Sequence, residues 1–404
     1  MIGQSIGDPG HCDAGFKALL RSAAELEALV RSRTDLSEAD TAEGYLYIAG
    51  LLRFHLERAL KGSDTDRPRF VRDMDDSITW GLPSPDHHYY SCEIDPEAEY
   101  RILGSRGATV SYCFEMLTQL PGDDGAFDQR VDALDSDRLQ VDGDGRFEIR
   151  VGGEPRDKNW LRTDGISRTI FVRQTVNDWA LEQPTPILIE RVGISGGEKR
   201  FVRPSNEQVQ ATLRRAATTM TNMADLFDKF SRGWTETLPV NALPAPTIGA
   251  ADANYFPGQY NTKCRFKLCP DEALLLTLVP STALYQSLTL AHALWFNSLY
   301  SRDVQSSLSG AQSRVSSDGL YRFVISATDP GVPNWLDTCG RGDGFLMIRW
   351  LRIINHQEPQ QPRTKVVKLS AVRDEFPEDE PCVDEIARSA TQRIRRLSSD
   401  RRYA

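Results

Sequence analysis

The sequence is short of the features that mark the commonest functional classes. Its seven cysteines are scattered and odd in number, Cys264 and Cys269 are the only close two, and no C-x-x-C occurs. That excludes a zinc ribbon or a disulfide framework and suits reduced thiols in the cytoplasm. No apolar run is long enough to span a membrane. Met1 to Gly10 lack the basic start and greasy core of a secretory leader. Positive charge is not in excess: the formal balance is −9, which argues against a nucleic-acid partner. Gly193 to Lys199 (GISGGEK) ends before a Ser or Thr and misses the Walker spacing. There is no G-x-S-x-G elbow. HExxH and spaced Cys/His ligands are both absent, so neither a metal nor a cofactor is expected. The Arg-Gly-Asp inside Gly340 to Gly344 is explained by a turn.

What the chain does have is a stretch made twice. Asp144-Gly145 leads through Phe147, Ile149 and Val151 to Asn159-Trp160-Leu161-Arg162-Thr163-Asp164-Gly165. Asp318-Gly319 leads through Tyr321, Phe323 and Ile325 to Asn334-Trp335-Leu336-Asp337-Thr338-Cys339-Gly340. Asn177 and Pro184 bracket one following segment, and Asn355 and Pro362 bracket another of the same length. A chain of 404 residues has room for two cores. The expected fold is therefore mainly β with a helical N-terminal subdomain, built from duplicated antiparallel β-sandwich or jelly-roll-like units.

The periodicity divides the chain into five parts. Residues 1–62 form the helical subdomain: Phe16 to Val30 carry apolar residues at helical spacing, and Ser37-Glu38-Ala39-Asp40 resembles a capping box opening a second helix. Residues 63–200 form the first β unit, turn-rich to Pro96, then with strands at Tyr100–Leu103, Val110–Leu117, Arg138–Val141, Phe147–Val151, Ile170–Val176 and Ile187–Val192. Residues 201–262 hold a helix opened by Pro204-Ser205, expected to bridge the halves, and a Pro/Ala/Gly-rich linker. Residues 263–372 form the second β unit, with strands at Ala273–Val279, Ala283–Leu290, Leu320–Ser326, Phe345–Leu351 and Lys365–Leu369. Residues 373–404 form an acidic run and a last helix whose basic end, Arg393 to Arg402, is expected to be solvated and frayed.

Three stretches resemble a known family. Asp95 to Gly107 (DPEAEYRILGSRG), Phe171 to Trp179 (FVRQTVNDW) and Asp329 to Leu351 (DPGVPNWLDTCGRGDGFLMIRWL) are similar to the bacterial domain of unknown function 1214 family, over roughly residues 80–370. The resemblance implies an antiparallel, jelly-roll-like β fold and supplies little chemistry. Asp73-Met74-Asp75-Asp76 and its flanks depart from the family's pattern.

The twins sort the candidate residues. Positions identical in both copies, such as Asn159/Asn334 and Trp160/Trp335, read as architecture. Positions that differ are better functional candidates: Asp337 against Arg162, and Asp178 against His356. Asp337 beside Trp335 suits a general base or hydroxyl acceptor, or else a turn cap. Asp86-His87-His88-Tyr89-Tyr90 is the densest polar-aromatic cluster; either histidine suits acid–base work and the tyrosines suit a hydroxylated ring, although a surface turn would explain the cluster too. In a strand, His87 and His88 point to opposite faces. Arg173 and Arg349 lie inside apolar runs, where alternation puts arginine on a wet face, while an inward arginine would bind a carboxylate, sulfate or phosphate. Asp73, Asp75 and Asp76 have the D-x-D-D spacing of class II terpene cyclases, and Asn177 to Glu182 distantly resembles the class I magnesium motif; a solvated acidic linker explains the first as well.

The functional expectation is a cofactor-independent enzyme of lyase, isomerase or hydrolase type. Asp337, His87 and His88 would act on a small hydroxylated, terpenoid or sugar-like molecule held by Tyr89, Tyr90, Trp335, Arg173, Arg349, Asp178 and His356. The alternatives are a non-catalytic carbohydrate- or lipid-binding sandwich and terpenoid cyclisation at Asp73–Asp76. The expected partner is a small molecule, with no nucleic acid and no membrane. A homo-oligomer is compatible with the sequence, which does not fix the number of copies.

Overall fold

The computed structural model describes residues 14–33, 36–62, 64–194, 203–249 and 256–403. Most of the Gly193 to Lys199 stretch therefore lies outside the described residues, as do Met1 to Gly10 and part of the linker. Three helices form one layer: α1 (Ala14–Arg31), α2 (Glu38–Lys61) and, much later in the chain, α3 (Asn206–Thr237). Ser37 caps α2 and Ser205 caps α3, each in a reciprocal capping box, with Asp40 and Gln208 respectively. The N-terminal helices do not stand alone. The Gly15 amide donates to Gln210 Oε1 at 2.8 Å, and a Cβ on Gly15 would lie 2.1 Å from the Gln210 carbonyl oxygen, so only glycine lets α1 and α3 approach so closely. No helix among the described residues is long and apolar enough to cross a membrane.

Among the described residues the strands come in two sets of nine. The first is β1 (Val71–Arg72), β2 (His87–Glu93), β3 (Tyr100–Ser105), β4 (Ser111–Leu117), β5 (Arg130–Asp135), β6 (Arg146–Val151), β7 (Trp160–Leu161), β8 (Thr169–Thr175) and β9 (Ile187–Arg191). The second is β10 (Thr247–Ile248), β11 (Tyr260–Lys267), β12 (Glu272–Leu278), β13 (Ala283–Ala291), β14 (Ser307–Ser309), β15 (Tyr321–Ser326), β16 (Trp335–Asp337), β17 (Asp343–Ile353) and β18 (Arg363–Lys368). The five-stranded sheet β1-β2-β8-β4-β5 has its counterpart in β10-β11-β17-β13-β14, and the four-stranded β7-β6-β3-β9 in β16-β15-β12-β18.

The repeated Asn-Trp-Leu does the same work in both copies. Asn159 and Asn334 both take positive φ, at 45° and 54°. The Asn159 side chain exchanges hydrogen bonds with the Gln140 backbone, and Asn334 does so with Arg314. The Trp160 indole N–H donates to the Gly152 carbonyl at 2.9 Å, and that of Trp335 to Ser326 at the matching place. These residues pin the short parallel strand of each four-stranded sheet, which is an architectural task.

Each unit is a sandwich with its own core. Ile102, Phe114, Ile149 and Val172 fill the first, and Leu276, Leu290, Phe323 and Trp350 the second. The other faces of the two five-stranded sheets turn towards each other, so that Cys113 of β4 packs with Tyr285 and Leu351 of β13 and β17. Central strands β4 and β8 are therefore buried along their whole length. That arrangement overturns the wet-face expectation for Arg173 and Arg349, which are 7% and 6% exposed. It also overturns the surface-turn reading of residues 86–90, where His87 to Tyr90 begin an interior strand.

Three further expectations are corrected. Residues 138–141 are turn and coil, and the pairing strand is β5, just upstream. The second unit starts before residue 263, because β10 and the first residues of β11, Tyr260 to Thr262, already pair within its sheet. The C-terminal helix α4 (Glu385–Tyr403) stays helical through its basic end and is solvated on one face only: Arg393, Arg396 and Arg401 are exposed, while Arg395 and Arg402 are buried.

Candidate functional site

A cavity of about 270 Å³ lies where the two five-stranded sheets and the helical layer meet. Strand register explains which side chains reach it. Residues facing each other across an antiparallel pair share a face. Arg173 pairs with Tyr89 and Cys113, and Arg349 pairs with Asn261 and Ser287. Arg173 and Arg349 thus hold matching positions in the twins, as do Phe171 and Met347, two residues earlier. All four line the cavity, with His87 and Tyr89 from β2 and Gln259 from just before β11. From α3 come Phe227, Phe230 and Trp234, at helical spacing, and the connecting segments add Trp80, Leu82 and Phe296.

Two lining residues are strained. Leu82 and Phe296 take φ of 53° and 52°, a region bulky side chains rarely enter. The Leu82 amide donates to the Phe296 carbonyl at 2.8 Å, and the Leu82 carbonyl accepts from Arg349 Nη2 at 2.8 Å. Each outlier costs about 1–3 kcal/mol and such residues cluster at ligand sites.

The polar groups differ sharply in how they are satisfied. Arg173 forms an ion pair with Glu115, which also binds Arg130 at 2.8 Å. Burial opposes the charge on Arg173, and Glu115 more than offsets it, raising the guanidinium pKa. His87 is buried, and neither ring nitrogen has a hydrogen-bond partner. Burial, reinforced by Arg349 and Arg173, holds its pKa well below the ordinary imidazole value. It is therefore neutral at physiological pH and offers one donor and one acceptor. Rings of Tyr89, Tyr285 and Phe256 surround it at 5.6–6.1 Å. The Tyr89 hydroxyl accepts from the Ser84 amide at 3.0 Å, and burial raises its pKa.

The remaining candidates lie elsewhere. His88 points to the other face, 4.9 Å from the Tyr403 ring under α4. Tyr90 sits beneath the Arg72 guanidinium. Asp337 caps its own turn, accepting from the Cys339 amide at 2.8 Å, and burial raises its pKa. Trp335 packs under Arg388. Asp178 accepts from the Ala180 and Leu181 amides. His356 has φ of 52° on an exposed turn, beside a separate cleft with Tyr260 and Glu358. The structure thus brings together His87, Tyr89, Arg173 and Arg349, and leaves Asp337, His88, Tyr90, Trp335, Asp178 and His356 outside. Sequence reasoning missed Phe171, Met347, Gln259 and the aromatic wall. Aligning the twins through Asn159 and Asn334 without a gap sets Arg173 against Ile348, one residue short, so the Phe171/Met347 and Arg173/Arg349 pairs emerge only from the strand register.

The D-x-D-D carboxylates neither converge nor stand free in solvent as a group. Asp73 is fully buried and accepts from the Ser91 hydroxyl at 2.6 Å. Asp75 accepts from the Ser77 and Ile78 amides, and Asp76 from the Ser399 hydroxyl of α4. With three separate commitments they do not form the shared acid site a cyclase needs. Burial pushes the Asp73 pKa up to about 7, against the opposing pull of Ser91 and Arg58. The unfolded value is about 3.9. Folding therefore takes up a proton between these limits, and stability falls as pH rises through that window. Asp73→Asn is expected to remove this dependence, at up to ~1.4 kcal/mol per pH unit. Urea midpoints from pH 4 to 8 would then converge at the acid end and separate, variant above wild type, at the alkaline end. Parallel curves would refute it.

Among the described residues one cluster has metal-ligand composition: Asp40, Glu43 and His292. His292 Nδ1 accepts from the Leu294 amide at 2.9 Å, so the ring proton sits on Nε2. That N–H faces Asp40 at 3.2 Å and Glu43 at 3.0 Å, leaving no imidazole lone pair for a cation. Burial raises the Glu43 pKa, but bonds from His292, Tyr300 and Arg341 outweigh it and hold it at about 2. The cluster ties α2 to the second β unit.

No protein-family model matches the chain, and no curated protein matches it. Its fold is shared with a solved structure of an uncharacterized protein from Burkholderia cenocepacia, 27% identical, with a TM-score of 0.80 over 89% of this chain and 98% of that one. A second solved structure, from Vibrio parahaemolyticus, covers 88% of this chain and 100% of its own at 11% identity. Its TM-score is 0.41.

Proposed function

We propose that the chain binds a small organic molecule with an aromatic or apolar body in the cavity between its two halves, and that His87 performs acid–base chemistry on it without a cofactor. Membership of the domain of unknown function 1214 family is part of the same proposal. The observation that carries the reading is a buried, neutral, unpartnered imidazole in an aromatic wall. Leaving buried polar atoms unsatisfied costs about 1–3 kcal/mol, which a ligand hydroxyl or carbonyl at His87 would recover. Aromatic walls with a few convergent polar groups are the usual form of a small-molecule site.

The test begins with whatever co-purifies, identified by native mass spectrometry, and with a set of arylalkyl compounds scored by thermal shift. Trp80 and Trp234 line the cavity, so occupancy is expected to change their fluorescence. With a turned-over compound in hand, His87→Gln is expected to leave its affinity within about threefold and to lower turnover by at least ~100-fold. A compound that binds the wild type and is recovered unchanged at every pH would reassign the protein to non-catalytic binding, the alternative that the largely apolar wall favours.

A further inference from the structure

The twin comparison carries the reading of this cavity one step further, to the charge of its ligand. In the first unit Glu115 of β4 stands opposite Phe171, diagonal to Arg173, and pairs with it. In the second unit the same position of β13, opposite Met347 and diagonal to Arg349, is Thr289. The strand pairings fix this correspondence, with Cys113 and Ser287 facing the two arginines. One copy has a buried carboxylate beside its arginine and the other has a hydroxyl.

The consequence shows in the contacts of Arg349. Its guanidinium donates to the Leu82 carbonyl at 2.8 Å and to the Thr289 hydroxyl at 3.3 Å, both neutral acceptors. Among the described residues no carboxylate lies within ion-pair distance of it. A guanidinium carries five N–H donors, so capacity is left over on a group that lines the cavity. A buried cation with no counter-charge is costly and is retained where something else supplies the anion. The titratable groups that line the cavity beside the two arginines do not: His87 is neutral and Tyr89 keeps its proton.

We infer that the ligand of this cavity is an organic monoanion, a carboxylate on an aromatic or apolar body, and that Arg349 receives its charged group. This rests on the small-molecule reading of the cavity given above. Arg173 is silenced by Glu115 and leaves a single open cation, which matches one carboxylate rather than a diphosphate. The apolar part lies against Phe171, Phe227 and Trp234, and His87 stands beside the guanidinium to meet a group next to the carboxylate.

The experiment compares a set of arylalkyl carboxylates, 3-phenylpropanoate among them, with the corresponding neutral amides, by calorimetry and thermal shift on the full chain. At least one acid is expected to bind at least tenfold tighter than its amide. Thr289→Glu recreates the pair found in the first unit. It is expected to fold, with a melting temperature no lower than wild type, and to lose at least tenfold in acid affinity while binding amides as before. Arg349→Met is expected to lose the same preference, and Thr289→Glu decides the matter if that variant does not fold. Amides that bind as tightly as the acids, or an acid preference that survives Thr289→Glu, would overturn the monoanion inference and leave the cavity reading standing. No stabilisation by any acid or amide of the set would overturn both.

Discussion

A chain ending at residue 384 is expected to lose most of its stability, although only the terminal helix has gone. Helix α4 joins the two β units. Its Arg388 binds Asp329 at 2.8 Å and the Val332 carbonyl in the second unit. Its Arg395 donates to the Ser301 and Ser307 carbonyls and to the Ser307 hydroxyl at 2.6 Å. Arg395 and Arg402 then enclose Trp179 of the first unit, at 4.1 and 3.8 Å from its ring. Beneath them Asp86 accepts from the Trp179 indole at 2.7 Å and from the Tyr285 hydroxyl at 2.8 Å, joining the halves again. A hydrogen bond to a charged group contributes about 1.5–3 kcal/mol, and a partly desolvated cation–π contact about 0.5–2 kcal/mol. Two such arginines make the loss on the order of 5 kcal/mol or more, against a total of about 5–15 kcal/mol for a folded domain. Circular-dichroism melts and urea titrations of the truncated chain would show it. Arg395→Met alone is expected to cost about half as much. A truncated chain melting within a few degrees of wild type would show that α4 merely lies on the surface.

Glu115→Gln has the second largest expected effect, a loss of about 3–5 kcal/mol, because it removes the carboxylate of a buried ion pair and with it the nearest negative charge that supports the Arg173 guanidinium. Glu115 is 1% exposed and serves two arginines, Arg130 and Arg173. Glutamine keeps the size and one acceptor but supplies no negative charge. The measurement is the urea midpoint of variant and wild type with and without an arylalkyl carboxylate. The acid is expected to recover more stability in the variant than in the wild type, since the cavity wall then carries one negative charge fewer. Equal midpoints without ligand would mean that Arg173 finds its compensation elsewhere.

The sequence shows the skeleton of this protein well and its site poorly, for one physical reason. Strands β3 and β6 have outer faces that are wet or partly wet, so they alternate and read as strands. β2, β4, β8 and β17 are covered on both sides, and there the pattern of two is lost. β2 passed as a polar cluster because His87, His88 and Ser91 are interior residues, hidden by the meeting of two sheets that no local window contains. The same meeting misdirects the reading of Arg173 and Arg349, since alternation places a charge outward and cannot say that outward is itself inside. The Asn-Trp-Leu repeat was legible because its contacts are local, within about twenty residues on either side. Asp337 was chosen for differing from its twin, yet its difference serves a turn. The informative difference lay one layer deeper, at Glu115 and Thr289, on strands whose alignment needs the register of the sheets.

That register has a consequence for how such a cavity can arise. If two separate copies of one β unit met through these faces, the pocket would sit on their dyad, and every wall residue would appear twice. A carboxylate beside one arginine would be a carboxylate beside both, leaving a charge-balanced pocket with no reason to prefer either end of a guest. Joining the copies in one polypeptide lifts that restriction: a single substitution can then unbalance one side and give the pocket a head and a tail.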